Sequence, residues 1–218
     1  MVKYLATMYN EPLVMGMGKS RYIARHTSGL LDVARETTLD LDHTLKENES
    51  IYIKRVVENP RHVIKSIEGV LGEEAIIKAA DSLHVSVLQP EPAYRLGIKG
   101  KTLRSLTISA KQVVPGLSHP TTAEFDRIAS YPSREGDKTL YSLACDPAVE
   151  SLLDIETAAI IKRIGEVSGY SGSFNYVHDP HITIAMQNKE PPVYEEFLLD
   201  KPVKVTLARA AFFAQRLA

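Results

Sequence analysis

Leu83-His84-Val85-Ser86-Val87 and, far downstream, Asp179-Pro180-His181-Ile182-Thr183-Ile184-Ala185 obey one rule. Each alternates apolar and polar residues, the pattern of a strand with one face in a core and one face outside it. Successive side chains on a strand point to opposite sides. Val85 with Val87, and Ile182 with Ile184, are therefore expected to face inward. His84 with Ser86, and His181 with Thr183, project together from the opposite face, each strand offering an imidazole and a hydroxyl one pleat apart.

The triplet H-x-[S/T] is short. It occurs at four of the seven histidines (26, 43, 62, 84, 119, 178 and 181), namely His26, His84, His119 and His181. Ser and Thr are about an eighth of the chain, so about one match in seven is the chance expectation. Context separates the four. Nothing places His26, between Arg25 and Gly29, on a regular strand, and His119 precedes Pro120 and a turn. Only the strands of His84 and His181 share matched apolar flanks. Side by side, they would line a cleft with two imidazoles and two hydroxyls. One neutral histidine can accept a proton from an attacking water or sugar hydroxyl while the other, protonated, donates one to a leaving oxygen. An imidazole pKa near 6.5 lets both forms coexist near neutrality. The hydroxyls can hold nonbridging phosphate oxygens. Which histidine is acid and which is base stays open.

Around these motifs, strands are expected at residues 3–9, 13–17, 50–57, 83–88, 106–114, 139–144, 181–185 and 203–213. A helix is expected after Asn59-Pro60, carrying Val63, Ile64, Ile67, Val70 and Leu71 and ending at Gly72. A second covers Glu73 to Ala80. Thr121-Thr122-Ala123-Glu124 has the letters of a capping box and predicts a short helix. Asp146-Pro147 opens the longest helix, with a break expected near Ile155. Strands interleaved with helices predict an α+β fold, its helices packed on antiparallel sheets.

The 218 residues suit one domain of two lobes, and 44% hydrophobic with 24% charged residues is an ordinary globular balance. Net charge is -1, which argues against a binder of long nucleic acid that works by phosphate neutralisation. One cysteine, Cys145, excludes an internal disulfide and a cysteine-rich zinc cluster, and is expected to be a small buried residue. The first residues lack a signal-peptide pattern, and no apolar run reaches the length of a membrane span. A cytoplasmic protein without membrane contact is the expectation. His178-Asp179-Pro180-His181 also spells H-x-x-H, but Pro180 favours an extended segment and no carboxylate–histidine signature completes a ligand set. No metal and no cofactor is therefore expected. Among Tyr94, Tyr141, Tyr170 and Tyr176, the last is the candidate for stacking on a base, being close to the second motif.

With these residues in view, the chain resembles the 2H phosphoesterases, which include RNA-ligase-like 2′,3′-cyclic phosphodiesterases. The hallmark of that family is two H-x-[T/S] motifs on strands of two pseudo-symmetric lobes, and the segment 179–185 is the nearer match. The resemblance spans about residues 80 to 216, through a strand at 106–114, a strand at 139–144, a long helix, a loop and the second motif. It implies a bilobal fold of two antiparallel sheets flanking a central cleft, helices outside. It also implies metal-independent cleavage of a small nucleotide or oligonucleotide: a 2′,3′-cyclic phosphate, a 2′–5′ linkage or a cyclic oligonucleotide signal. His84 and His181 would be the acid/base pair, and Ser86, Thr183 and Tyr176 would contact substrate. The chain departs from the family pattern in carrying Ser86 where threonine is commoner. It also has an elaborated region of about 80 residues before the first motif, and Met186-Gln187 where many relatives place an arginine. Lys99, Lys101 and Arg104 are alternative basic residues, more simply read as solvated side chains. A non-catalytic module that binds or sequesters a nucleotide in the same cleft is the competing reading, and a purely structural domain is a third.

Overall fold

The computed structural model describes residues 41–71, 75–133, 138–172, 174, 176, 180–188 and 195–217. The strands expected at 3–9 and 13–17, His26 and His178 lie outside the described residues. Among the described residues eight strands form two sheets, every pairing antiparallel. The smaller sheet has the order β3-β1-β8, with β1 Glu49–Val56, β3 His84–Leu88 and β8 Ala211–Arg216. The larger has the order β2-β6-β5-β4-β7. Its strands are β2 Ile76–Ile77, β4 Thr121–Pro132, β5 Thr139–Cys145, β6 His181–Gln187 and β7 Glu196–Leu207. Four α-helices lie among the described residues: α1 Pro60–Ile67, α2 Pro90–Tyr94, α3 Leu103–Val113 and α4 Pro147–Ser168. The fold class is thus α+β, as expected. No helix among the described residues is long and apolar enough to cross a membrane.

Two apolar cores stabilise these layers. In the first, Ile51, Ile53, Val87, Leu88 and Phe212 of the smaller sheet meet Leu103, Leu106 and Ala110 of α3 and Ile160, Ile161 and Ile164 of α4. In the second, Ile128, Leu143, Ile182, Ile184 and Val205 of the larger sheet meet Val63 and Ile67 of α1 and Leu153 of α4. Strand β3 belongs to both, because Val87 points into the first core while Val85 joins the second.

The strands at 50–57, 83–88, 139–144 and 181–185 are found as expected, within a residue or two at their ends. So is α4, which Asp146 caps by accepting a 2.8 Å hydrogen bond from the Ala148 amide and Gly169 ends at φ 77°. It runs unbroken through Ile155, which simply faces solvent. Asn59 sits at the N-cap of α1, but its amide binds β7 instead, donating to Lys204 O at 3.0 Å and accepting from Thr206 N at 2.9 Å. The helix ends at Ile67, before Gly69 at φ 88°, and Gly72 lies outside the described residues.

Four expectations are corrected. Residues 106–114 are not a strand but most of α3. Leu103, Leu106 and Ala110 recur at helical spacing and are buried, and Thr102 accepts a hydrogen bond from Ser105 N to cap the start. Thr121–Glu124 opens β4 rather than a helix. Pairing of all four residues to β7 outweighs the local capping letters. Within the 73–80 stretch, Ile76–Ile77 form the short edge strand β2 against Met186 and Ala185 instead of a helix. Finally, 203–213 is two strands. The chain leaves the larger sheet at Leu207, crosses at Ala208–Ala210, and enters the smaller sheet at Ala211.

Candidate active site

His84 opens β3, at one edge of the smaller sheet, and His181 opens β6, in the larger one. The two strands run close to each other across the seam between the sheets. Val85, Val87, Ile182 and Ile184 are buried, so His84, Ser86, His181 and Thr183, all half-buried, occupy the alternate positions as the sequence predicts.

What the sequence did not reveal is a tyrosine at each histidine. Tyr52, on β1, places its hydroxyl 2.9 Å from His84 Nε2 and 2.9 Å from Ser86 Oγ. Tyr131, at the end of β4, places its hydroxyl 3.2 Å from His181 Nε2 and 2.9 Å from Ser142 Oγ. Ser142 in turn donates to Thr183 Oγ1 at 3.3 Å. Both tyrosines meet their imidazoles edge-on, with ring centroids 6.2 and 5.9 Å apart and interplanar angles of 81° and 75°. Each sheet therefore presents a chain of histidine, tyrosine and aliphatic hydroxyl. The second chain is one residue longer because Tyr131 lies two strands from β6 and reaches Thr183 through Ser142 on β5.

The proton positions in the first half-site follow from its partners. His84 Nδ1 lies 2.8 Å from Ser82 O, and a carbonyl only accepts, so Nδ1 carries a proton. Neutral His84 then presents its lone pair at Nε2, where Tyr52 donates to it and accepts from Ser86. Protonated His84 donates from Nε2, which turns the Tyr52 proton toward Ser86 and releases the Ser86 proton for another acceptor. Burial pushes the Tyr52 phenol up to about 12, the Ser86 hydrogen bond opposing it, so the hydroxyl keeps its proton near neutrality. The protonation state of the histidine and the donor direction of the serine are thus linked through one oxygen.

Tyr176 is half-buried beside Phe174 against the first core, their ring centroids 6.3 Å apart. Tyr52 and Tyr131 provide edge-on aromatic contacts to the two histidines. Cys145 is buried and donates through Sγ to Pro180 O at 3.3 Å, tying the residue before His181 to β5. Lys99 pairs with Glu47 and Arg104 with Asp42 on the exposed surface. His119 serves structurally through its backbone, its carbonyl accepting from Arg55 Nη1 at 2.9 Å.

No protein-family model and no curated protein matches the chain. Solved structures do. The chain is similar to TT0787 of Thermus thermophilus, at 12% identity over 77% of this chain and 96% of that one, TM-score 0.41. It is similar to E. coli LigT complexed with 3′-AMP, at 14% identity over 78% and 97% of the two chains, TM-score 0.41. The MHV ns2 PDE domain is a third, at 12% identity over 76% and 99%, TM-score 0.34.

Proposed function

We propose that this chain is a metal-independent phosphodiesterase for a small nucleotide or oligonucleotide, working as one bilobal unit with His84 and His181 as its acid/base pair. The observation that carries the reading is the repetition of one chemical unit on two sheets: histidine, tyrosine hydroxyl, then serine or threonine. A core histidine needs a partner for each nitrogen once. It does not need the same construction twice, facing across a seam.

In the proposed step, a substrate oxygen takes the place of the tyrosine hydroxyl at each Nε2. The neutral histidine accepts a proton from the attacking water or sugar hydroxyl, whose oxygen forms a bond to phosphorus. The P–O bond on the opposite side breaks, and its oxygen takes the proton of the second histidine. Ser86 and Thr183 donate to the nonbridging oxygens, where charge builds during the step. Either direction of attack uses the same pair, with the roles exchanged. Substrates in view are 2′,3′-cyclic phosphates, 2′–5′ linkages and cyclic oligonucleotides.

The test is a panel of 2′,3′-cyclic phosphates, 2′–5′ and 3′–5′ dinucleotides, and cyclic di- and trinucleotides, with products resolved by chromatography. One class is expected to be cleaved, equally well in EDTA. His84→Ala and His181→Ala should each lose about 10²–10⁴-fold in kcat while staying folded. Stoichiometric binding with the ligand recovered intact would overturn the catalytic reading in favour of a sequestering module. Activity abolished by EDTA and restored by zinc would overturn the two-histidine mechanism.

A further inference from the structure

Ser142 is 1% exposed and lies on β5, between the strand of His181 and the strand of Tyr131. Its Cα pairs with that of Thr183 on β6 and with that of Ala129 on β4, two residues before Tyr131. Paired residues share a face of the sheet, and so do residues two apart on one strand. Ser142, Thr183 and Tyr131 therefore project from one face, while Leu143 and Cys145 enter the second core from the other. A hydroxyl has one proton to give and room to accept. Ser142 gives its proton to Thr183 Oγ1, 3.3 Å away, so from the Tyr131 hydroxyl, 2.9 Å away, it accepts. With the tyrosine proton directed to Ser142, the proton in the 3.2 Å contact with His181 belongs to Nε2. The chain of donors thus runs one way, from imidazole to Thr183, and Thr183 keeps its own proton to give. The first half-site lacks this intermediate because Tyr52 is on the strand next to β3 and touches Ser86 itself.

We infer that Ser142 is a positioning residue of the second half-site. It is too buried to touch substrate, and it fixes the hydroxyl rotor of Thr183 so that the threonine proton is aimed at a nonbridging phosphoryl oxygen. The assignment rests on the phosphodiesterase reading for its ligand. When a substrate oxygen displaces Tyr131 from Nε2, the tyrosine proton stays on Ser142, and the order of donors from Tyr131 through Ser142 to Thr183 is unchanged. The donor is set before the charge develops, and no hydroxyl has to turn during the step. Packing alone would be served by alanine. A buried hydroxyl needs partners, and both side-chain hydrogen bonds of Ser142 go to the site.

Two measurements test it. In the parent protein without ligand, nitrogen NMR of His181 at neutral pH should show a proton on Nε2, a reading that requires neither a variant nor a substrate. A lone pair there would mean that the chain runs the other way, and overturns the assignment. On the substrate cleaved in the panel, Ser142→Ala is expected to lower kcat about 3–10-fold, the loss of one neutral hydrogen bond, with KM within about 3-fold of the parent. Thr183→Val should cost more, and adding Ser142→Ala to it should cost nothing further, because the serine acts through the threonine. Losses that multiply, or an unchanged kcat in a folded Ser142→Ala, overturn the assignment and leave the histidine mechanism standing. A protonated Nε2 in a chain that cleaves nothing in the panel keeps the hydroxyl chain and removes the phosphodiesterase reading.

Discussion

Replacing Tyr52 by phenylalanine removes one oxygen and keeps the ring of a residue that is only 5% exposed. Two hydrogen bonds are lost, to His84 Nε2 and Ser86 Oγ, each 2.9 Å long. Neutral bonds of this kind contribute about 0.5–1.5 kcal/mol net, so the variant should be less stable by about 1–2 kcal/mol at neutral pH. The alkaline range behaves differently. Burial raises the phenol from 10.0 to about 12 in the folded chain. A folded pKa above the unfolded one means that stability is fully present below about pH 10 and is lost as pH rises toward about 12. A difference of that size corresponds to about 2–3 kcal/mol. Phenylalanine has no proton to lose, so the stability gap between parent and variant should narrow, and then close, across that window. Urea unfolding at several pH values measures it directly.

The same variant breaks the link between His84 and Ser86. Turnover on the cleaved substrate should fall about 10-fold, about 1.4 kcal/mol, and the limb of the pH–rate profile that reports His84 should move. A gap that stays constant from neutrality to strongly alkaline pH would show that Tyr52 is not the buried phenol described above. Unchanged turnover and an unmoved pH profile, in a protein that His84→Ala inactivates, would remove the tyrosine from the machinery.

Two further expectations concern the scaffold. Arg55 donates to His119 O, Ala208 O and Gly116 O at 2.9, 3.2 and 2.8 Å and is 2% exposed, so Arg55→Met, which leaves those carbonyls unpaired, should cost about 3–5 kcal/mol in urea unfolding. A loss below about 1 kcal/mol would mean that water or a backbone shift replaces the guanidinium. Glu49 is held below its ordinary value of 4.5 by the Lys46 amide and then by His43, so it contributes stability above that pH that is lost as pH falls below it. Glu49→Gln should show a smaller drop in melting temperature between about pH 5 and pH 3 than the parent. An equal or steeper drop would contradict the assigned contacts.

The histidine strands were legible because a strand writes its two faces into alternate letters, and both H-x-[S/T] motifs lie within single strands. The tyrosines were not. Tyr52 reaches His84 only because β1 pairs with β3, and Tyr131 reaches His181 across β5, a path with no counterpart in local sequence. Residues 106–114 misled because Thr107, Ile108 and Ser109 alternate over a short window, while the helical repeat begins earlier, at Leu103. The letters of Thr121–Glu124 are those of a cap, yet all four residues pair with the neighbouring strand β7.

The crossing at Ala208–Ala210 bears on how the cleft can open. Behind the two histidine strands, one chain passes from sheet to sheet, the Ala208 amide donating to Val56 O at 2.8 Å and that of Ala210 to Leu117 O at 2.8 Å. Arg55 then fastens the Ala208 carbonyl from below. A bridge between Val57 and Leu207 adds a further rung at the same level. The two sheets are therefore joined by a short, stitched crossing, and moving them apart would tear backbone hydrogen bonds instead of bending a linker.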